Sequence, residues 1–411
     1  MLQLANFKQF INDMRRQKLR TLLTMFGIFW GTCSIVLLFA FGKGIGDAQL
    51  KSQKGMGENI AIFWPGLTSK VYKGLPKGRR IRATEQDIRL IKSSAQTLNL
   101  ISPEYSKWQV NMKHGDQSTV RNIVGIWPEF GEMRNLIPDY GSRFINDKDI
   151  SEKRRVVFLG NRLKTDLFGD EEAVGETILL NGAPFTVIGI MKAKKQDSSY
   201  NGRDDRKAFI PSTTFQSMYS KRYPNNFVAQ CKPQFTMKMT RAEIDQILGA
   251  KYKYDPSDKE ALSVWDTTEG IAFMKNFFFA FRMFLVGIGI ATLITGGIGV
   301  SNIMNVVLEE RTKEIGIKMA LGARQSYIMT QFIVETLLIT SIGGLAGFAF
   351  AYLIVSLFPM LGFEDFVGVP TVDMWAGIIA AVLLGVVGLT AGYFPARRAA
   401  NLQPVQALKL F

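Results

Sequence analysis

Apolar positions along this chain gather into four long runs, at residues 19–41, 277–307, 328–360 and 374–394. Each exceeds about 20 residues, enough at roughly 1.5 Å per residue to cross a hydrocarbon core of about 30 Å as a helix. The first carries no charge after Arg20 and the fourth carries none, so four transmembrane helices are expected. Arg15, Arg16, Lys18 and Arg20 ahead of the first run would also suit a cleaved signal. That run is too long for one, and no small-x-small cleavage site follows near residues 42–46. The first helix is read as retained.

Positive charge orients these helices, because cytosolic flanks hold the excess of Lys and Arg. The N-terminal tail has Lys8, Arg15, Arg16, Lys18 and Arg20. The stretch after the second run has Arg311, Lys313, Lys318 and Arg324, and the C-terminal tail has Arg397, Arg398 and Lys409. The link between the third and fourth runs lacks Lys and Arg and contains Glu364, Asp365 and Asp373. The expected partition is a cytosolic segment 1–18, a helix 19–41, an extracytoplasmic insertion 42–275 and a second helix 276–308. A cytosolic elbow 309–325, a third helix 326–360, a short outer link 361–373, a fourth helix 374–395 and a cytosolic tail 396–411 complete it. The chain is thus expected to sit in the cytoplasmic (inner) membrane with both termini in the cytosol.

Alternation changes character inside the insertion, which reads as an α+β domain. Residues 84–93 suit a helix, with Thr84 as N-cap, Asp87 at the third helical position, and Ile88 and Ile91 three apart. Residues 120–127 and 155–159 read as strands. Residues 177–180 and 184–190 flank Asn181-Gly182, a pair suited to a tight primed turn, and read as a hairpin. The polar stretch KAKKQDSSYNGRDDRK (192–207) lacks periodicity and is expected to be a mobile loop or hairpin tip with its acidic pair Asp204-Asp205 solvated.

Composition narrows the chemistry. Of 411 residues 47% are hydrophobic, and the formal charge is +15. That charge falls largely on the cytosolic flanks, and no basic stripe interleaved with aromatics accompanies it, so nucleic acid is not expected as a partner. Cys33 lies in the first helix and Cys231 in the insertion, neither within a CxxC pair, and His114 is the only histidine. Structural zinc and histidine-based catalysis are therefore not expected. His114, in Lys-His-Gly-Asp, reads as part of a solvated turn. HExxH, GxSxG and Cys/His pairings are absent from the sequence, so no catalytic residue is assigned.

The run GGIGVSNIMNVVLEERTKEIGIKMALGAR (296–324) combines membrane and cytosolic features. Gly296, Gly297 and Gly299 allow close helix approach, as do Gly343 with Gly347 in the third helix and Gly388 with Gly392 in the fourth. Asn302 and Asn305 set two amides on one face, which is expected to meet another helix or water rather than lipid. Beyond Glu310, Ile315 with Met319 and Ile317 with Leu321 form apolar pairs four apart, beside Arg311, Lys313, Glu314 and Lys318. These residues alone suit either an interfacial helix on the bilayer or a surface for another protein. Glu335, in the first turns of the third helix, has two readings: an intramembrane functional acid, or a structural one that reaches the interface or pairs with a basic residue.

That run resembles the signature of ABC-transporter permeases of the MacB type, in the wider family that includes FtsX and the lipoprotein-releasing permeases. Asn302-Ile303-Met304 and Glu310-Arg311-Thr312 carry the likeness most clearly. KLRTLLTMFGIFWG (18–31) resembles the family's first helix, and GYFPARRAANLQPVQAL (392–408) its C-terminal end. IVGIWPEF (123–130) and LFGDEEAVGETILLNGAPFTVIGIM (167–191) are similar to the MacB-like periplasmic core. The resemblance implies four transmembrane helices with a MacB-like periplasmic core domain inserted between the first and second.

MacB itself carries an ATPase domain before its first helix, whereas no GxxxxGK[ST] phosphate loop occurs in these residues. The resemblance therefore implies an ABC ATPase acting in trans, which would bind ATP-Mg, while this chain holds no cofactor of its own. It implies that Glu310, Arg311, Thr312, Glu314, Gly316, Met319, Leu321, Gly322 and Arg324 form the ATPase contact. It also implies a permease dimer, of identical or different chains, and leaves room for a periplasmic adaptor and an outer-membrane channel. The expected function is efflux or export of a drug, peptide or lipid-like molecule, driven by transmitted motion. The alternative is an FtsX-like or lipoprotein-releasing complex acting on a periplasmic partner. A second helix of roughly 46 Å over 277–307 is long enough to act as a lever.

Overall fold

The computed structural model describes residues 18–196, 199–363 and 368–403. The flank charges Lys8, Arg15, Arg16, Glu364, Asp365 and Lys409 lie outside the described residues. The chain divides into a membrane unit, Met1–Gln49 with Lys275–Phe411, and an inserted domain, Leu50–Met274.

Among the described residues four helices are long and apolar enough to cross a membrane. The first membrane helix is Lys18–Lys54, the second Thr267–Glu310, the third Gln325–Leu357 and the fourth Met374–Ala400. The first two therefore extend beyond the apolar runs 19–41 and 277–307. Helix hydrogen bonds are satisfied within the segment, so a helix needs no apolar face to continue into water. Glycine sets the closest approaches. A Cβ at Gly347 would lie 2.3 Å from the Phe29 carbonyl oxygen, one at Gly343 3.1 Å from that of Met25, and one at Gly296 3.0 Å from that of Gly27. Gly297 lies against Val387, Gly388 against Thr340 and Gly392 against Thr336. Gly299 differs from the packing expectation: a Cβ there would meet nothing within 4 Å among the described residues, and the residue lines an open groove instead.

The inserted domain is built on nine strands: β1 Ile60–Pro65, β2 Leu98–His114, β3 Gln117–Ile126, β4 Val156–Leu159, β5 Thr177–Leu180, β6 Ala183–Ile190, β7 Lys207–Pro211, β8 Asn226–Cys231 and β9 Leu262–Asp266. The order β3-β7-β4-β6-β5-β2 closes on itself, because β2 also pairs with β3, and β8, β1 and β9 extend beyond β2. Alternate residues of the ring strands face two different cores. Val124, Phe158 and Phe209 join a core with Phe63, Ile88 and Ile244, whereas Ile123, Val157 and Ile210 join a second with Tyr105, Phe185 and Phe215. Burial on both faces explains why β4 and β7 read as continuous apolar runs rather than alternating ones.

Local chemistry supports these elements. Asn181 (φ 48°) and Gly182 (φ 84°) occupy the left-handed region between β5 and β6, the requirement of a primed hairpin turn. Helix Glu85–Ser94 starts where the Asp87 carboxylate accepts from the Thr84 backbone N–H at 2.7 Å. Asp87 is itself buried and also binds Lys251 and the Tyr252 hydroxyl, which tie that turn to helix Met237–Tyr252.

Two readings need correction. The acidic pair of the segment 192–207 is not solvated throughout, because Asp204 is fully buried and takes hydrogen bonds from Arg134 (2.8 and 3.0 Å), Lys194 (2.9 Å) and Lys207 (3.0 Å). Burial alone would raise its carboxyl, but the three cations, Arg134 foremost, hold it well below the usual carboxylate range. Lys194, drawn out of water beside Arg134 and Lys207, is pulled down to about 8 by burial, with Asp204 opposing that fall. Asp205 sits nearer the surface, paired with Arg203 at 3.2 Å. His114 is half-buried rather than simply solvated: its ring lies against Phe168 and its Nδ1 is 3.1 Å from the Thr177 carbonyl oxygen.

Candidate functional site

The elbow between the second and third membrane helices is a helical bend, not a loop. The i to i−4 ladder continues through it, with Arg311 N–H donating to Val307 O and Ile315 N–H to Arg311 O, each at 3.0 Å. Arg311 departs from helical dihedrals (φ −97°, ψ 7°), and a short helix Thr312–Ala320 follows. The Thr312 hydroxyl donates to the Leu308 carbonyl at 2.9 Å, a back-bond of the kind that bends helices. The short helix ends in a paired cap: Gly322 N–H donates to Met319 O and Ala323 N–H to Lys318 O, both at 3.0 Å. This closure places Gly322 at φ 94°, a conformation glycine adopts without a Cβ penalty. Arg324 then precedes the third membrane helix in extended conformation.

The two apolar pairs of the elbow separate. Ile315 is buried and Met319 packs beside it in the membrane unit's core with Leu308, Ile328 and Phe332. Ile317 is 44% and Leu321 84% exposed, on a surface that also presents Lys313 and Glu314. Gly316 is buried, so the short helix rests on its Ile315–Gly316 side and offers the other. Period 3.6 makes residues 315 and 317 diverge around the axis, which is why two pairs of identical spacing serve different surroundings.

Glu335 resolves toward pairing with a basic residue. Arg311 Nη1 donates to both of its carboxylate oxygens at 3.1 Å, and Gln331 Nε2 donates to Oε1 at 3.2 Å. Both members are largely withdrawn from solvent, at 14% and 8% side-chain exposure. The bend residue is thus tied to the third helix by an ion pair that a one-dimensional reading had no means of matching across 24 positions. Asn305 accepts from Arg398 Nη1 of the fourth helix at 3.4 Å, whereas Asn302 is exposed, so the two amides do not share one environment. Among the described residues no group of three or more His, Cys, Asp or Glu is arranged to hold a metal ion.

Two family models match the chain, one after the other. The profile of the MacB-like periplasmic core domain covers residues 21–247, and that of the FtsX-like permease C-terminal domain covers residues 286–404, which includes the whole elbow. The macrolide export ATP-binding/permease protein MacB of Neisseria gonorrhoeae is 29% identical over 98% of this chain and 60% of its own length. The protein of the same name from Shewanella oneidensis is 30% identical over 96% of this chain and 59% of its own. The chain therefore spans about 60% of the length of these curated relatives. The crystal structure of the periplasmic region of MacB from Actinobacillus actinomycetemcomitans aligns with 54% of this chain and 95% of that one, at 17% identity and a TM-score of 0.43.

Proposed function

This chain belongs to the family that joins a MacB-like periplasmic core domain to an FtsX-like permease C-terminal domain, and from that membership we propose that it is the permease part of an ABC transporter that moves substrate by transmitted motion. An ABC ATPase acting in trans binds ATP-Mg and docks on the elbow. Its movement bends the chain at Arg311 and is carried along the second membrane helix toward the extracytoplasmic domain. The cargo class is an exported drug, peptide or lipid-like molecule; the relatives are named for macrolide export. Two permeases face each other in the complex. The groove of about 620 Å³ lined by Gly27, Gly296 and Gly299, open beside the second membrane helix, supports a helix of the second permease there.

The observation that carries this reading is the two-sided short helix. Its inner side is sunk in the membrane unit's core and its bend is pinned by Arg311 to Glu335, while Ile317 and Leu321 lie exposed. A rigidly held element with an apolar outer side is what a partner needs to push on, since a push transmits only through contacts that differ between two states. The test is Ile317→Glu with Leu321→Glu in the full chain, assayed for co-purifying ATPase and ATP-dependent export. Capture is expected to fall by roughly 30-fold or more, the scale of a lost interface hot spot, with membrane insertion unchanged. Unaltered capture and export would sink the docking assignment.

A further inference from the structure

A second groove, of about 710 Å³, opens between the first, third and fourth membrane helices. It lies within one unit and is separate from the elbow. Its volume falls in the range of small-molecule sites. On the fourth helix its lining runs from Met374 to Gly385 and on the third from Leu337 to Tyr352, spans of about 17 and 22 Å at 1.5 Å per residue. That is close to one leaflet, half of a hydrocarbon core of about 30 Å.

The groove has a polar mouth and polar rungs. Asp373, just before the fourth helix, lines the mouth and is paired with Lys43 of the first helix at 3.2 Å, both partly exposed. Deeper, Thr32, Thr340 and Ser341 line it. Thr32 is 3% exposed, and its hydroxyl has no hydrogen-bond partner among the described residues. Apart from Tyr352, the rest of the lining is apolar, with Phe348 and Leu384 among it.

We propose that this groove seats one phospholipid whose headgroup carries a primary ammonium, taken from the leaflet at the mouth. The apolar length takes an acyl chain. At the mouth an ammonium meets Asp373 and a phosphate meets Lys43, so the four charges alternate in sign. A headgroup with net negative charge and no ammonium would place its phosphate beside the Asp373 carboxylate without compensation.

The test uses the full chain in nanodiscs made from equal amounts of dioleoyl phosphatidylethanolamine and dioleoyl phosphatidylglycerol, followed by native mass spectrometry. One phosphatidylethanolamine is expected to stay with each chain, favoured over phosphatidylglycerol by about tenfold, the ratio a preference of 1.4 kcal/mol produces. Gly385 lines the groove and has open space where a Cβ would stand, so Gly385→Trp is expected to fill it and expel the lipid with the unfolding temperature maintained. Asp373→Asn keeps a residue suited to a helix N-terminus, and is expected to retain a lipid while the headgroup preference falls to about one. Equal retention of both headgroups by the unaltered chain overturns the proposal. So does an undiminished preference in Asp373→Asn, or the same bound lipid in a folded Gly385→Trp.

Discussion

Asp204 in the inserted domain and Glu335 in the membrane unit are both buried carboxylates gripped by an arginine, yet they are held to different degrees. Asp204 is surrounded by Arg134, Lys194 and Lys207, all within 3.0 Å, and both it and Arg134 are almost wholly removed from solvent. Glu335 accepts from Arg311 and from the neutral amide of Gln331, with Arg311 at the helical bend. One cluster is over-determined and suits a loop that must stay closed. The other sets one carboxylate against the arginine of a helical bend, with a neutral amide beside it. Buried ion pairs add little net stability when intact but are expensive to halve, so the number of partners decides how rigid each place is.

Removing one carboxylate at a time tests that contrast. Asp204→Asn leaves three cations without their common partner and is expected to destabilise the inserted domain by about 3–5 kcal/mol. Hydrogen exchange should show lost protection along residues 201–207, and persistent protection there would place the hold on those residues elsewhere. Glu335→Gln is expected to cost less, about 1–3 kcal/mol, with the charge-swapped pair Arg311→Glu and Glu335→Arg recovering part of it in a double-mutant cycle. ATP-dependent export should fall in the single variant while ATPase capture through Leu321 persists. Equal losses of both would mean the pair shapes the docking surface rather than transmitting motion.

Asp245 extends the series to a carboxylate with one weak cation. Arg241 lies 3.5 Å away, and burial pushes the Asp245 carboxyl up to about 6. Its folded value is above the unfolded one of about 3.9, so its contribution is fully present below that pH and is lost as pH rises through about 6. Asp245→Asn is therefore expected to be more stable than the parent above about pH 6, by roughly 1–2 kcal/mol, with the gain vanishing near pH 4. Unfolding temperature against pH measures it, and a pH-independent difference would remove burial as the cause. The smallest change in stability is expected for Leu321→Glu, within about 0.5 kcal/mol because the side chain is exposed, with a large loss of ATPase capture expected under the proposed docking.

Much of the architecture was legible because its signals are local. Four apolar runs of membrane length, the Asn181-Gly182 turn and the Thr84–Asp87 cap each need only a few neighbouring residues to specify them. The burial of Asp204 within the segment 192–207 was not legible, for the opposite reason. The segment's polarity is locally indistinguishable from a solvated loop, and Arg134, brought from 70 positions away to join Lys194 and Lys207, makes Asp204 a buried anchor. Within the elbow, spacing identified Ile315 with Met319 and Ile317 with Leu321 but not which pair faces the core.

By itself the sequence determined how many times the chain is built to cross a membrane, where its large insertion lies, and that charge returns after residue 308. Hydropathy and turn chemistry are summed over adjacent residues, so one dimension contains them. Tertiary structure alone decided that Arg311 closes on Glu335, that Asp204 lies at the centre of three cations, and that Leu321 is left outward. Those outcomes depend on which distant side chains share a space once water has been excluded, because there a charge must find a partner or remain at the surface.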